Sequence, residues 1–144
     1  MTRYASRTTV APEKSRAEIE TLLSRYGADQ FMSGWEVQKR AMLAFRMRGR
    51  LLRIELPLPQ RGAYRYQGTY DQELRSRWRA LLLVLKAKLE AVETGISTFD
   101  EEFLAHIQLP SGERVGDWLQ PQVERAYLAG AMPSLLIGSP KEVT

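Results

Sequence analysis

Residues 41–58 read AMLAFRMRGRLLRIELPL, and the period of their apolar side chains decides the fold. Leu43, Phe45 and Met47 share one side of an extended segment, and Leu52, Ile54, Leu56 and Leu58 share one side of the next, because side chains alternate across a strand. Arg48 and Gly49 make a tight connection, so the two segments pair as an antiparallel hairpin, which Pro57 and Pro59 terminate. With the apolar set facing a core, Arg46, Arg48, Arg53 and Glu55 point the opposite way. The sheet then has one apolar and one basic surface.

Working outward, Phe31, Ser33, Trp35 and Val37 alternate in the same manner and add a strand upstream, completing a three-stranded meander. Before it, Ala17, Ile19, Leu22, Leu23 and Tyr26 predict an amphipathic helix over about Glu13–Tyr26, closed by Gly27. Residues 1–12 are polar, end in proline and read as a flexible basic arm carrying Arg3, Tyr4 and Arg7. Downstream of the hairpin, residues 60–70 (QRGAYRYQGTY) read as a loop. Leu74, Trp78, Leu81, Leu82, Leu85, Leu89 and Val92 then predict a long helix over about Asp71–Thr94 with one buried stripe, and Arg75, Arg79 and Lys86 lie along its flank. Thr98 and Glu101 form a capping-box pattern that opens a short helix over Phe99–Ile107. Pro110, Ser111 and Gly112 form a turn, and Pro121 is placed to start a last helix that stops at Gly130. The fold class is therefore α+β: an N-terminal helix, a three-stranded antiparallel meander, one long helix packed on the sheet, then short C-terminal helices. A single domain spans 13–131, and residues 132–144 read as an irregular tail.

The composition excludes several chemistries. The 144 residues include no cysteine and one histidine, His106, which removes structural zinc, iron–sulfur clusters and cysteine nucleophiles from consideration. No glycine-rich phosphate loop and no GxSxG elbow occurs. Glu102 and His106 stand four apart, as two metal ligands or an acid and a base would; the same spacing is that of an ordinary surface pair, and acidic residues at a helix start are favoured by its dipole. We therefore expect a protein that is not an enzyme, with no cofactor and no metal. No apolar run is long enough to span a bilayer and residues 1–30 hold no signal-type stretch, so the expected location is cytoplasmic, with no membrane partner.

Charge is distributed unevenly. Residues 1–80 carry sixteen Lys/Arg against eight Asp/Glu, and the remainder five against nine. Between Lys39 and Arg79, eleven cations, ten of them arginine, meet only Glu55, Asp71 and Glu73. Arginine's planar fork matches phosphate oxygens and stacks on bases. Tyr64, Arg65, Tyr66 and Tyr70 interleave aromatics with charge directly after the basic strands, the combination that binds single-stranded nucleic acid. Trp35 and Trp78 fall on apolar faces and read as core packing. The expected nucleic-acid contacts are Arg46, Arg48, Arg53, Arg61, Tyr64, Arg65, Tyr66, Arg75 and Arg79. Two other readings use the same residues: a solvated face whose counter-charges come from the acidic half, or an interaction protein that docks an acidic partner or self-associates into a homo-oligomer.

The segments KSRAEIETLLSRYGADQF (14–31), RWRALLLVLKAKLEAVETGISTFDEEFLAHIQLPSGERVGDWL (77–119) and PQVERAYLAGAMPSLL (121–136) resemble a family of small uncharacterised proteins of bacterial and prophage genomes. That resemblance implies a phage or prophage setting and carries no site residues. The element order is also similar in outline to the core of phage single-strand annealing proteins, which implies a recombination or replication role.

Overall fold

The computed structural model describes residues 5–36 and 39–132. Helix α1 (Pro12–Arg25) precedes strands β1 (Gln30–Glu36), β2 (Arg40–Met47) and β3 (Arg50–Pro57), and helices α2 (Gln67–Glu93), α3 (Phe99–Phe103) and α4 (Val115–Ala129) follow. The strands form one antiparallel sheet in the order β1-β2-β3. Arg48 and Gly49 join β2 to β3 with φ of 52° and 72°; positive φ at both turn positions matches the right-handed twist of the strands. The expected α+β class and element order are those of the structure.

The register puts Phe45 opposite Phe31 on one side and Leu52 on the other, and Leu43 opposite Ile54. These side chains, with Met47, form the inner face of the sheet. Against it pack Ile19, Leu22 and Leu23 of α1 and Trp78, Leu81, Leu82, Leu85 and Leu89 of α2. Phe99 and Phe103 close one end, their rings stacked at 4.9 Å, with Phe103 edge-on to Phe45 at 6.5 Å. Each large side chain removed from water contributes about 1.5–3 kcal/mol, so this single cluster organises the domain. The outer edge of β3 is covered: Gln108 N–H donates to the Leu51 carbonyl at 2.8 Å, and Ile107 bridges to Leu52.

Three boundaries differ from the sequence expectation. Helix α2 begins at Gln67 rather than Asp71, because Gln67 and Asp71 are joined side chain to side chain at 2.8 Å while the apolar stripe starts only at Leu74. The Phe99–Ile107 helix breaks at Phe103 (φ −117°, ψ 0°) into a 3-10 turn, Leu104–His106, since Ile107 must leave the helix to reach Leu52. Helix α4 starts at Val115, and Pro121 lies inside it rather than at its first turn. Trp35, expected in the core, is 64% exposed, because β1 is an edge strand and at that end α1 and α2 leave an open cleft over the ring. Of the arm expected over residues 1–12, the Ser6 and Thr8 carbonyls accept from the Gln72 side chain at 3.1 and 2.8 Å, and Ala5 is buried. Arg3, Tyr4 and tail residues 133–144 lie outside the described residues.

Candidate nucleic-acid interface

The rear of the sheet holds two of the nine expected contacts, and both have counter-charges. Arg46 donates from Nε and Nη2 to the Asp29 carboxylate at 2.9 and 2.6 Å. That hydrogen bonding holds the Asp29 carboxyl below its ordinary range and pushes the guanidinium up. Arg53 donates to the Gly112 carbonyl at 3.0 Å. Arg53, Arg40 and Arg114 surround the Glu55 carboxylate at 3.5, 3.6 and 3.7 Å. Between these pairs the rear face is apolar, with Met32 and Leu51 exposed. Arg48 stands in the hairpin turn instead, its guanidinium 5.3 Å from the Phe99 ring centroid.

The residue 60–70 segment splits into an inward and an outward half. Arg61 donates to the Tyr64 carbonyl at 2.6 Å and to Gln67 Oε1 at 2.8 Å, stapling a 3-10 turn (Arg61–Ala63) to the start of α2. Tyr64 meets Tyr70 edge-on at 5.9 Å. Tyr66, by contrast, is 63% exposed, and Arg65 lies over its ring at 5.5 Å. On α2, Arg75 donates to Gln72 Oε1 at 2.6 Å, and Arg79 pairs with Glu18 of α1. The structure thus brings Arg65 and Tyr66 together on the surface, and ties Arg46, Arg53, Arg61, Arg75 and Arg79 to acceptors of the chain itself.

Three further cations without a partner among the described residues gather elsewhere. The Gln72 contacts to Ser6 and Thr8, the Arg79–Glu18 pair and a groove shared by Arg25 and Lys86 show that α1 and α2 lie side by side and run the same way. On their outer surface this groove, about 350 Å³, has Lys14 and Arg25 on one wall and Arg79 and Lys86 on the other, over a floor that includes Ala17 and Leu82. Glu18 is its single carboxylate. Among the described residues, Lys14, Arg25 and Lys86 have no ion pair or hydrogen bond from their side chains. From Lys14 to Arg25 the wall runs about 16 Å at a helical rise of roughly 1.5 Å per residue. The flank of α2 carrying Arg79 and Lys86 is apparent from periodicity; Lys14 and Arg25 escape the sequence reading. Their spacing of three turns places them on one side of α1, but only the helix pairing makes that side a groove wall.

The Glu102 and His106 pair does not converge. Glu102 Oε2 accepts from Ser97 Oγ at 2.8 Å and Oε1 stands 3.8 Å from Lys88 Nζ, while the break after Phe103 puts His106 in the following 3-10 turn. Among the described residues, no group of three or more His, Asp or Glu is placed to hold a metal ion. No described helix is long and apolar enough to cross a membrane. Comparison with known proteins finds no matching family model, no similar curated protein and no similar solved structure.

Proposed function

We propose that this protein is a non-enzymatic nucleic-acid-binding module that takes a single strand along the groove between α1 and α2. The observation that carries the reading is the groove's charge: four cations to one carboxylate, three of those cations without a partner among the described residues. Unpaired cations lining a channel neutralise phosphates and release counterions, which is the main source of affinity for a polyanion. The Arg65 and Tyr66 pair beyond the N-terminal end of the groove adds an exposed ring beside a guanidinium, suited to an unpaired base.

The test is a binding titration of labelled single-stranded DNA, RNA and duplex DNA at two salt concentrations. With about three phosphates neutralised, log K for the single strand falls with log salt at a slope near −2, from a coefficient of about −0.7 per contact. Replacing Lys14, Arg25 and Lys86 together by glutamate abolishes binding and leaves the fold intact, since all three are exposed and unpaired. Arg46→Ala leaves the slope unchanged, because Asp29 already neutralises that guanidinium. No binding of any strand at about 50 mM salt, where phosphate contacts are strongest, overturns the reading.

A second reading, assembly of several copies, is favoured by α4. Among its residues only Val115 is buried, while Val123 and Tyr127 are 50% and 86% exposed. An apolar helix face of this kind is suited to association with another copy of the chain.

A further inference from the structure

Trp35 belongs to the inner face of the sheet by register, opposite Ala41, yet its indole opens into a cleft of about 270 Å³ where the start of α1, the ends of the strands and α2 meet. Trp78, Leu58 and Leu74 form the apolar walls, and Arg16 and Glu13 of α1 stand at the rim. We propose that this cleft is a stacking slot for one nucleobase of the bound strand, preferring bases that bear an exocyclic amine, such as cytosine, over thymine. The inference rests on the single-strand reading above and assigns the stacking ring to Trp35.

Three observations converge on that ligand. An indole left 64% exposed at the end of an apolar face offers a large π-surface that no side chain of the core covers. The Arg16 guanidinium stands 5.4 Å from that ring's centroid and has no carboxylate partner among the described residues. A guanidinium so placed serves a ring bearing a phosphate: it stacks on the base or turns to the phosphate, both being native to arginine. Glu13 also has no cationic partner among the described residues, and a carboxylate accepts from the exocyclic amine of cytosine or adenine, whereas thymine offers a carbonyl there. Residues 13 and 16 are neighbours on the helix surface, so the amino edge and the phosphate of one nucleotide meet them together. The cleft and the basic groove open on opposite flanks of the first turns of α1, about 10–12 Å apart across one helix. A strand crossing the start of α1 reaches both.

Two probes test the slot: cytidine monophosphate alone, and an oligo(dC) strand, each read by tryptophan fluorescence and by direct binding. Of the three tryptophans, Trp35 is exposed, Trp78 is 6% exposed and Trp118 is half-buried in α4 outside the cleft, so both probes quench the wild type and Trp35→Leu removes most of the quench. Trp35→Leu weakens strand binding about tenfold, as loss of one stacked base does, and leaves the salt slope unchanged. Glu13→Gln erases the preference for oligo(dC) over oligo(dT). Salt-dependent strand binding that is indifferent to Trp35→Leu overturns the slot and spares the groove. Failure of the wild type to bind oligo(dC), with cytidine monophosphate still quenching Trp35, overturns the groove and spares the slot. Absence of both signals overturns both.

Discussion

His106 is half-buried, and its Nδ1 has no hydrogen-bond partner in the structure. Burial, with the positive charges of Lys88 and Arg114, holds the imidazole below its ordinary value of 6.5. An unfolded chain therefore binds a proton in a pH range where the folded one does not, and stability rises with pH across that range. Acidification from neutrality through pH 6.5 and below lowers the melting temperature, and His106→Gln flattens that decline. The carboxyls of Asp29 and Asp117, held below 3.8 by hydrogen bonds from Arg46 and Arg114, act in a separate window: they contribute fully above 3.8 and lose that contribution as pH falls further. A wild-type melting temperature that is constant from pH 7 to 5 contradicts the histidine assignment. Periodicity indicates neither effect, because burial of His106 depends on where the chain turns after Phe103, and the Asp29–Arg46 pair joins residues seventeen apart.

Within the elements, apolar spacing locates the strands and α2 well and places helix ends less well. Helix α4 is the clearest case. Pro121 reads as a helix start, yet the helix passes through it, leaving the Asp117 carbonyl without the N–H that residue 121 normally supplies. Such a residue costs a helix interior up to about 3 kcal/mol relative to alanine. Pro121→Ala accordingly slows amide exchange over residues 122–129, by an amount corresponding to between about 1 and 3 kcal/mol of local stability. Unchanged exchange there shows that α4 is held by contacts other than its own ladder.

For the molecule as a whole, two surfaces compete to define what it does: the basic groove of α1 and α2, and the apolar side of α4. Mass in solution separates them. If α4 mediates assembly, the wild type has a multiple of the monomer mass and Tyr127→Glu returns it to monomer, with strand binding reduced only through lost avidity. A wild-type protein that is monomeric at all accessible concentrations removes the assembly reading and leaves the groove.

Alternation in residues 41–58 and the spacing of Leu74 to Val92 carried the fold class, because strand and helix periods are local properties of the chain and one buried face selects between them. They also placed Arg79 and Lys86 on one flank of α2. Which cations keep a free charge is a different kind of quantity. Arg79 meets Glu18 across 61 residues of chain and Arg46 meets Asp29 across 17, so neutralisation is decided by packing between elements that no local period relates. Trp35 shows the same division: the two-residue period assigns it to the inner face, but whether a helix covers that position depends on where α1 begins and how α2 crosses the sheet. Patterning of side chains is written along the chain, whereas coverage and charge pairing arise only once distant segments meet.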